Sequence, residues 1–171
     1  MDKNYMGAKI SPVLIVGSKN TGKTTFLEQL IQRARKLDLV IGGFLSRGKV
    51  SITGGKEYFL EDIRTGQQYL LAAETPAPSR IITYGKYYFD PTIFQMGNDL
   101  LLKNLHAHLL VLDEFGPLEL SGQGFRNAFN EILVSFRGIF LIAVRPSLLS
   151  ATMTILKTQG AGQFPNDPRK K

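Results

Sequence analysis

The segment Gly17-Ser18-Lys19-Asn20-Thr21-Gly22-Lys23-Thr24 lies between an apolar run, Val13-Leu14-Ile15-Val16, and a helix-like stretch from Thr25 to Leu37. Nothing else in the chain confines its fold as tightly, because G-x-x-x-x-G-K-[ST] in the order strand, loop, helix is a phosphate-binding loop. Gly17 and Gly22 allow backbone conformations and a close approach to phosphate that a side chain would obstruct. The amides between them can point inward as an anion nest. The helix that starts near Gly22 adds free N–H groups and the positive end of its dipole. On this reading Gly17, Ser18, Lys19, Asn20, Thr21, Gly22, Lys23, Thr24 and Thr25 cup a polyphosphate. Lys23 reaches the β- and γ-phosphates, and Thr24 offers its hydroxyl to Mg²⁺. The expected ligand is a nucleoside di- or triphosphate with Mg²⁺.

A second signal completes the first. Leu109-Leu110-Val111-Leu112 is wholly apolar, as a parallel strand buried on both faces must be, and it ends in Asp113-Glu114. Taken alone, such an acidic pair could merely cap the next turn. Downstream of a phosphate loop it has the pattern of a Walker B strand. Asp113 is then expected to hold Mg²⁺, and Glu114 to orient or polarise an attacking water. Transfer of a γ-phosphoryl group depends on positioning and charge control more than on covalent chemistry, so a carboxylate there is apt.

The chain's 171 residues, 43% hydrophobic and 20% charged, are enough for one globular domain with a real core. That domain is expected over residues 1–159. No run is long and apolar enough to span a bilayer, and the N-terminus carries no signal-like core. Cysteine is absent, which removes disulfides, thiol nucleophiles and cysteine metal sites; a cytoplasmic setting is the simplest expectation. The net charge of +7 includes Arg169-Lys170-Lys171 at the end and Arg33, Arg35 and Lys36 near the first helix. A basic surface can attract nucleic acid, yet no aromatic platform motif accompanies it. Nucleic acid is therefore possible but not favoured as a partner, and a membrane is not expected.

Periodicity places strand one at 13–16 and helix one at 23–37, with Phe26, Leu27, Leu30 and Ile31 on one stripe. Residues 39–45 read as a strand interrupted by Gly42-Gly43. Residues 49–53 and 57–60 flank Gly54-Gly55 as a hairpin, and 67–71 add a third antiparallel strand. Residues 80–84 and 87–89 are strand-like around Gly85. Asp90 before Pro91 signals a helix running to about Asn104. After the 109–112 strand, a helix is expected over 121–135, a buried strand over 138–144 and a last helix from about Ser147. Residues 1–11 read as a frayed lead and 160–171 as a disordered basic tail. The nucleotide is expected at the C-terminal edge of the core strands.

Three features together are similar to one family, the small P-loop nucleoside-triphosphatases of the thermophilic-ATPase and cancer-related NTPase type. They are the loop Gly17 to Thr25, the run Leu112-Asp113-Glu114-Phe115-Gly116-Pro117-Leu118-Glu119-Leu120, and the intervening order. In that order Gly43-Phe44 leads into a β-meander with Glu61-Asp62, then Thr65-Gly66, then Tyr84-Gly85-Lys86-Tyr87. The resemblance covers roughly residues 12–145. It implies a P-loop NTPase fold of class α/β: a mostly parallel sheet flanked by helices, with a small antiparallel β-meander inserted at about 44–89. It also implies slow, Mg²⁺-dependent hydrolysis of nucleoside triphosphates with loose base preference. Lys23 and Glu114 fall on its catalytic positions, and Thr24 and Asp113 on its metal positions. Glu119 matches a second acidic position whose role the sequence does not assign. Arg47 and Arg145 are candidate partners for the γ-phosphate.

The chain departs from the pattern in two places. Leu45-Ser46-Arg47-Gly48 is shorter than the family's segment and lacks its acids, and only Ala151 to Lys157 matches a remnant of the C-terminal region. No N-K-x-D guanine motif is present. Two alternatives to hydrolysis use the same loop: a small-molecule kinase, and a non-catalytic GTP- or ATP-binding adaptor. His106 and His108 have metal-ligand spacing but no third ligand in view. Tyr84, Tyr87, Tyr88 and Phe89 read as meander core before they read as a base-stacking box.

Overall fold

The computed structural model describes residues 10–159. The tail expected over 160–171, and residues 1–9 of the expected lead, lie outside them. Ile10, by contrast, is buried, and the first strand starts at Ser11 rather than Val13.

One eight-stranded sheet organises the chain. β1 (Ser11–Val16), β8 (Ile139–Val144), β7 (Leu109–Phe115) and the first half of β2 (Ile41–Val50) run parallel, in that spatial order. The sheet continues antiparallel through β3 (Lys56–Asp62), β4 (Gln68–Ala73), β6 (Tyr87–Phe89) and β5 (Ile82–Tyr84). β2 joins the two parts. Its residues Ile41 to Phe44 pair with β7, and Phe44 to Val50 pair with β3. The sequence reading had split this element into two strands at 39–45 and 49–53. The structure makes it a single strand and puts Ile52 and Thr53 in the turn, where Ser51 N–H donates to Gly55 O at 2.7 Å.

The two glycines in β2 do not interrupt it, because close neighbours need the space. A Cβ on Gly42 would meet the Asn104 Cβ at 2.3 Å, and one on Gly43 would meet the Val111 carbonyl oxygen at 2.0 Å. Gly43 also has φ +97°, a conformation L side chains rarely adopt.

Alternation along the parallel strands divides the core in two. Leu110 and Leu112 of β7, with Phe140 and Ile142 of β8, pack beneath α2 (Pro91–Leu102), α4 (Arg126–Ser135) and α5 (Leu149–Thr158). Leu109, Val111, Leu141 and Ala143 face the other way, onto Leu27, Ile31 and Ala34 of α1 (Lys23–Arg35). The wholly apolar sequences of β7 and β8 follow from this double burial. α2 starts where Asp90 predicts: its carboxylate accepts from Thr92 N–H at 2.9 Å, with proline in the first turn.

The helix expected over 121–135 starts only at Arg126. Pro117–Leu120 forms a single turn, α3, and Gly122 (φ +85°) and Gly124 (φ +62°) carry the chain to α4 at Arg126. Two left-handed residues on either side of Gln123 cannot continue an α-helix. Buried Asn98 of α2 fixes the junction, donating to Phe94 O and Gly124 O and accepting from Ala128 N–H. A 3₁₀ turn, Pro146–Leu148, precedes α5.

Gly43→Ala is expected to destabilise the protein by about 3 kcal/mol or more, since both its backbone angle and the Val111 carbonyl oppose a methyl group. Urea unfolding followed by circular dichroism measures it; a midpoint equal to wild type would show that β2 and β7 are not packed as described.

Candidate functional site

The ends of the parallel strands converge on one cleft. The loop after β1 is tied back to β8 by Gly17 N–H donating to Val144 O at 3.2 Å. Within the loop, Thr21 Oγ1 donates to Ser18 O at 2.9 Å, and Gly22, at φ +87°, turns the chain into α1. No side chain caps that helix, so its first N–H groups remain open to a ligand. A Cβ on Gly17 would stand 2.6 Å from Thr21 Oγ1 and 3.0 Å from Lys23 Cγ, so the loop closes only on glycine. Lys23 is buried, and its Nζ donates to the carbonyls of Gly17 and Ser18, each at 2.9 Å.

The end of β7 meets this loop. Thr24 Oγ1 donates to Asp113 Oδ2 at 2.8 Å, and Ser46 N–H donates to the same oxygen at 3.1 Å. Glu114 stands next to Lys23, with Oε2 3.8 Å from Nζ, while its Oε1 pairs with Arg145 Nε at 2.5 Å. The Asp113–Glu114 peptide is cis, and the β7–β8 register shifts between Leu112 and Phe115. Lys23, Thr24, Asp113 and Glu114 thus line one cleft of about 480 Å³, together with Lys19 and Arg145.

Asp113 is 2% exposed. Burial pushes its carboxyl up to about 6, and Glu114 nearby pushes the same way; the hydrogen bonds from Thr24 and Ser46 and the charge of Lys23 oppose them. Thr24 and Asp113 present a hydroxyl and a carboxylate oxygen to the same point. Hard oxygen donors of this kind suit Mg²⁺, which takes few protein ligands and completes its shell with water and phosphate. Among the described residues no cluster of three or more His, Cys, Asp or Glu could hold a metal.

Other sequence candidates resolve differently. Arg47 does not line the cleft. It sits on the α1 flank between two carboxylates, at 2.7 Å from Glu28 and 2.8 Å from Glu61, because alternation along β2 turns it away from Ser46 and Gly48. His108 is structural: its Nδ1 accepts from Val40 N–H at 2.9 Å. Glu119 is buried and serves the chain itself, with Oε2 accepting from Gly116 N–H at 2.8 Å and Oε1 from Phe125 N–H at 3.1 Å. Tyr87 is not merely meander core. Its hydroxyl accepts from Lys19 Nζ at 3.4 Å, and the ammonium stands 5.4 Å from the ring centroids of both Tyr58 and Tyr87. The sequence reading missed this link and the Ser46 amide, since each requires the register of the meander.

A loop of this form, continuous with the sheet and helix that carry it, defines a P-loop protein. The chain belongs to the NTPase family, whose model matches residues 12–161. It is 28% identical, over 133 residues, to the nucleoside-triphosphatase THEP1 of Methanosarcina acetivorans, a match covering 76% of this chain and 74% of that protein. The protein of the same name from Methanothermobacter thermautotrophicus is 30% identical over 168 residues, covering 93% and 88%. Among solved structures, THEP1 from the hyperthermophile Aquifex aeolicus superposes with a TM-score of 0.67 over 94% of this chain and 92% of that one. At 15% identity that likeness is one of fold.

The Asp113 carboxyl makes a pH prediction. Its folded value lies above the ordinary carboxylate range, so ionisation in place opposes folding: this group's contribution is intact below about pH 4 and is lost as pH rises through about 6. Asp113→Asn is therefore expected to raise the melting temperature of the ligand-free protein at pH 7.5 while leaving it nearly unchanged at pH 4. Scanning calorimetry at both values measures this; equal shifts at the two pH values would contradict the assignment.

Proposed function

We propose that the protein binds a magnesium nucleoside triphosphate on residues 17–25 and hydrolyses it to diphosphate and phosphate, with loose base preference. The observation that carries this reading is the meeting of Thr24 and Asp113 at 2.8 Å with Glu114 beside Lys23, at the mouth of an uncapped helix. Its family membership and the names of its relatives point the same way.

In this reading the loop amides and the α1 N-terminus hold the phosphates. Lys23, which in the described state spends its protons on two loop carbonyls, turns them to the β- and γ-phosphates instead. Thr24 and Asp113 would hold Mg²⁺, which when bound neutralises charge on the phosphate oxygens. Glu114 accepts a hydrogen bond from water and aims its oxygen at the γ-phosphorus. The water oxygen bonds to phosphorus, one of its protons passes to Glu114 and on to solvent, the bridging P–O bond breaks, and the diphosphate leaves with the bridging oxygen. Arg145 fixes the Glu114 carboxylate and supplies a positive charge at the phosphate end. The loose grip on the base is what the family resemblance implies. The cysteine-free composition fits a cytoplasmic setting.

Glu114→Gln is expected to bind nucleotide about as tightly as wild type but to lose turnover by roughly 100-fold. Lys23→Ala is expected to weaken binding as well. Phosphate release from ATP and GTP with Mg²⁺, paired with calorimetric titration of a non-hydrolysable analogue, separates the two effects. Equal turnover in all three proteins would end this reading.

A further inference from the structure

A second chamber, of about 330 Å³, adjoins the phosphate cleft at Glu114. It shares Lys19, Ser46, Tyr58, Asp113, Glu114 and Arg145 with the phosphate cleft, so the two spaces meet at the carboxylates. Its deep wall is apolar. Leu71, Phe94 and Phe125 are buried, Phe89 stacks on Phe94 with centroids 5.5 Å apart, and Phe125 meets Phe94 edge-on at 5.0 Å. Attack by water at a terminal phosphate requires no apolar chamber at that end. Its size and the mix of apolar wall and few polar groups are those of a small-molecule site.

Most of the charges around the chamber already have partners. Lys86 pairs with Glu74 at 2.8 Å, Arg145 with Glu114, and both Glu119 oxygens accept backbone N–H groups. Lys19 lies against Tyr58 and Tyr87. The charges without an ion-pair partner, Lys19 and Asp113, lie where the chamber meets the phosphate cleft and are used by the nucleotide and its metal in the reading above, so the apolar deep wall suits a neutral ligand body. Tyr87, whose oxygen accepts from Lys19, keeps its own proton to donate to a ligand.

We propose that this chamber takes a second substrate, a neutral primary alcohol on a flat ring body, and that the protein transfers the γ-phosphoryl group to it. The proposal rests on the nucleotide reading above and names the acceptor that replaces water. The alcohol oxygen bonds to the γ-phosphorus, and the bond from that phosphorus to the bridging oxygen breaks. The nucleoside diphosphate leaves with the bridging oxygen, and the hydroxyl proton passes to Glu114 and from there to solvent. Nothing is oxidised or reduced. Hydrolysis is then the reaction of the same site with the chamber empty.

Nucleosides and aryl alcohols share this chemistry, so both are tested. The full chain is incubated with Mg²⁺ and γ-labelled ATP in the presence of adenosine, guanosine, cytidine, uridine, 2-phenylethanol, tryptophol or 2-naphthalenemethanol, and phosphomonoesters are resolved from free phosphate by mass spectrometry. At least one alcohol is expected to yield its phosphomonoester about tenfold faster than free phosphate forms, because a filled chamber excludes water. Tyr84→Ala, at the half-exposed rim, is expected to raise the KM for that alcohol about tenfold with little change in kcat, the sign of a lost binding contact. Free phosphate alone with every probe, at normal nucleotide binding, overturns the acceptor proposal and leaves the hydrolase standing. Product formation indifferent to Tyr84→Ala overturns the chamber as its place. Failure to bind nucleotide at all ends both readings.

Discussion

The hydrogen bond from Thr24 to Asp113 is where two distant parts of the chain become one site. Its donor belongs to the first turn of α1 and its acceptor to the end of β7. Their approach requires β1 and β7 to stand on either side of β8 in one parallel sheet, with α1 packed across the face that Val111 and Leu141 present. Without that hydrophobic alignment the loop would be a turn and the carboxylates an exposed pair. With it, a carboxylate is held 2% exposed beside a lysine, and burial raises its affinity for a proton.

β2 extends the same logic to the meander. Half of this strand belongs to the parallel sheet and half to the antiparallel one, so a single rigid element carries position from the core outward. Its Ser46 amide donates to the same Asp113 oxygen that Thr24 holds. Beyond it, Tyr58 of β3 and Tyr87 of β6 receive Lys19 of the phosphate loop. The meander is therefore a wall of the site as well as an appendage of the sheet. Glu119 and Asn98 finish that wall by satisfying backbone groups where two left-handed glycines interrupt the helix.

Much of this was legible in the residues. β1, β7 and β8 announce themselves as unbroken apolar runs because both of their faces are covered. The loop shows its glycines, lysine and threonine because phosphate allows few substitutes. Asp90-Pro91 marks the start of α2 through local chemistry alone. What could not be read depends on register. Arg47 is a candidate phosphate partner only by its expected nearness to the site, but alternation along β2 sends it to Glu28 and Glu61 instead. Gly42 and Gly43 looked like a break because the Asn104 and Val111 atoms that require them come from far along the chain. The 121–135 helix was overextended because the left-handed angles at Gly122 and Gly124 were not inferred from their positions. The role of Glu119 stayed open since both of its partners are backbone amides, which carry no sequence signature.

The central claim is that Thr24 and Asp113 act as a unit on a magnesium nucleotide. Calorimetric titration of a non-hydrolysable ATP analogue with Mg²⁺ into wild type, Thr24→Ala, Asp113→Ala and the double variant tests it as a double-mutant cycle. The account predicts strong coupling: each single change weakens binding, and the second adds little to the first. Independent, additive losses, or four equal affinities, would contradict it.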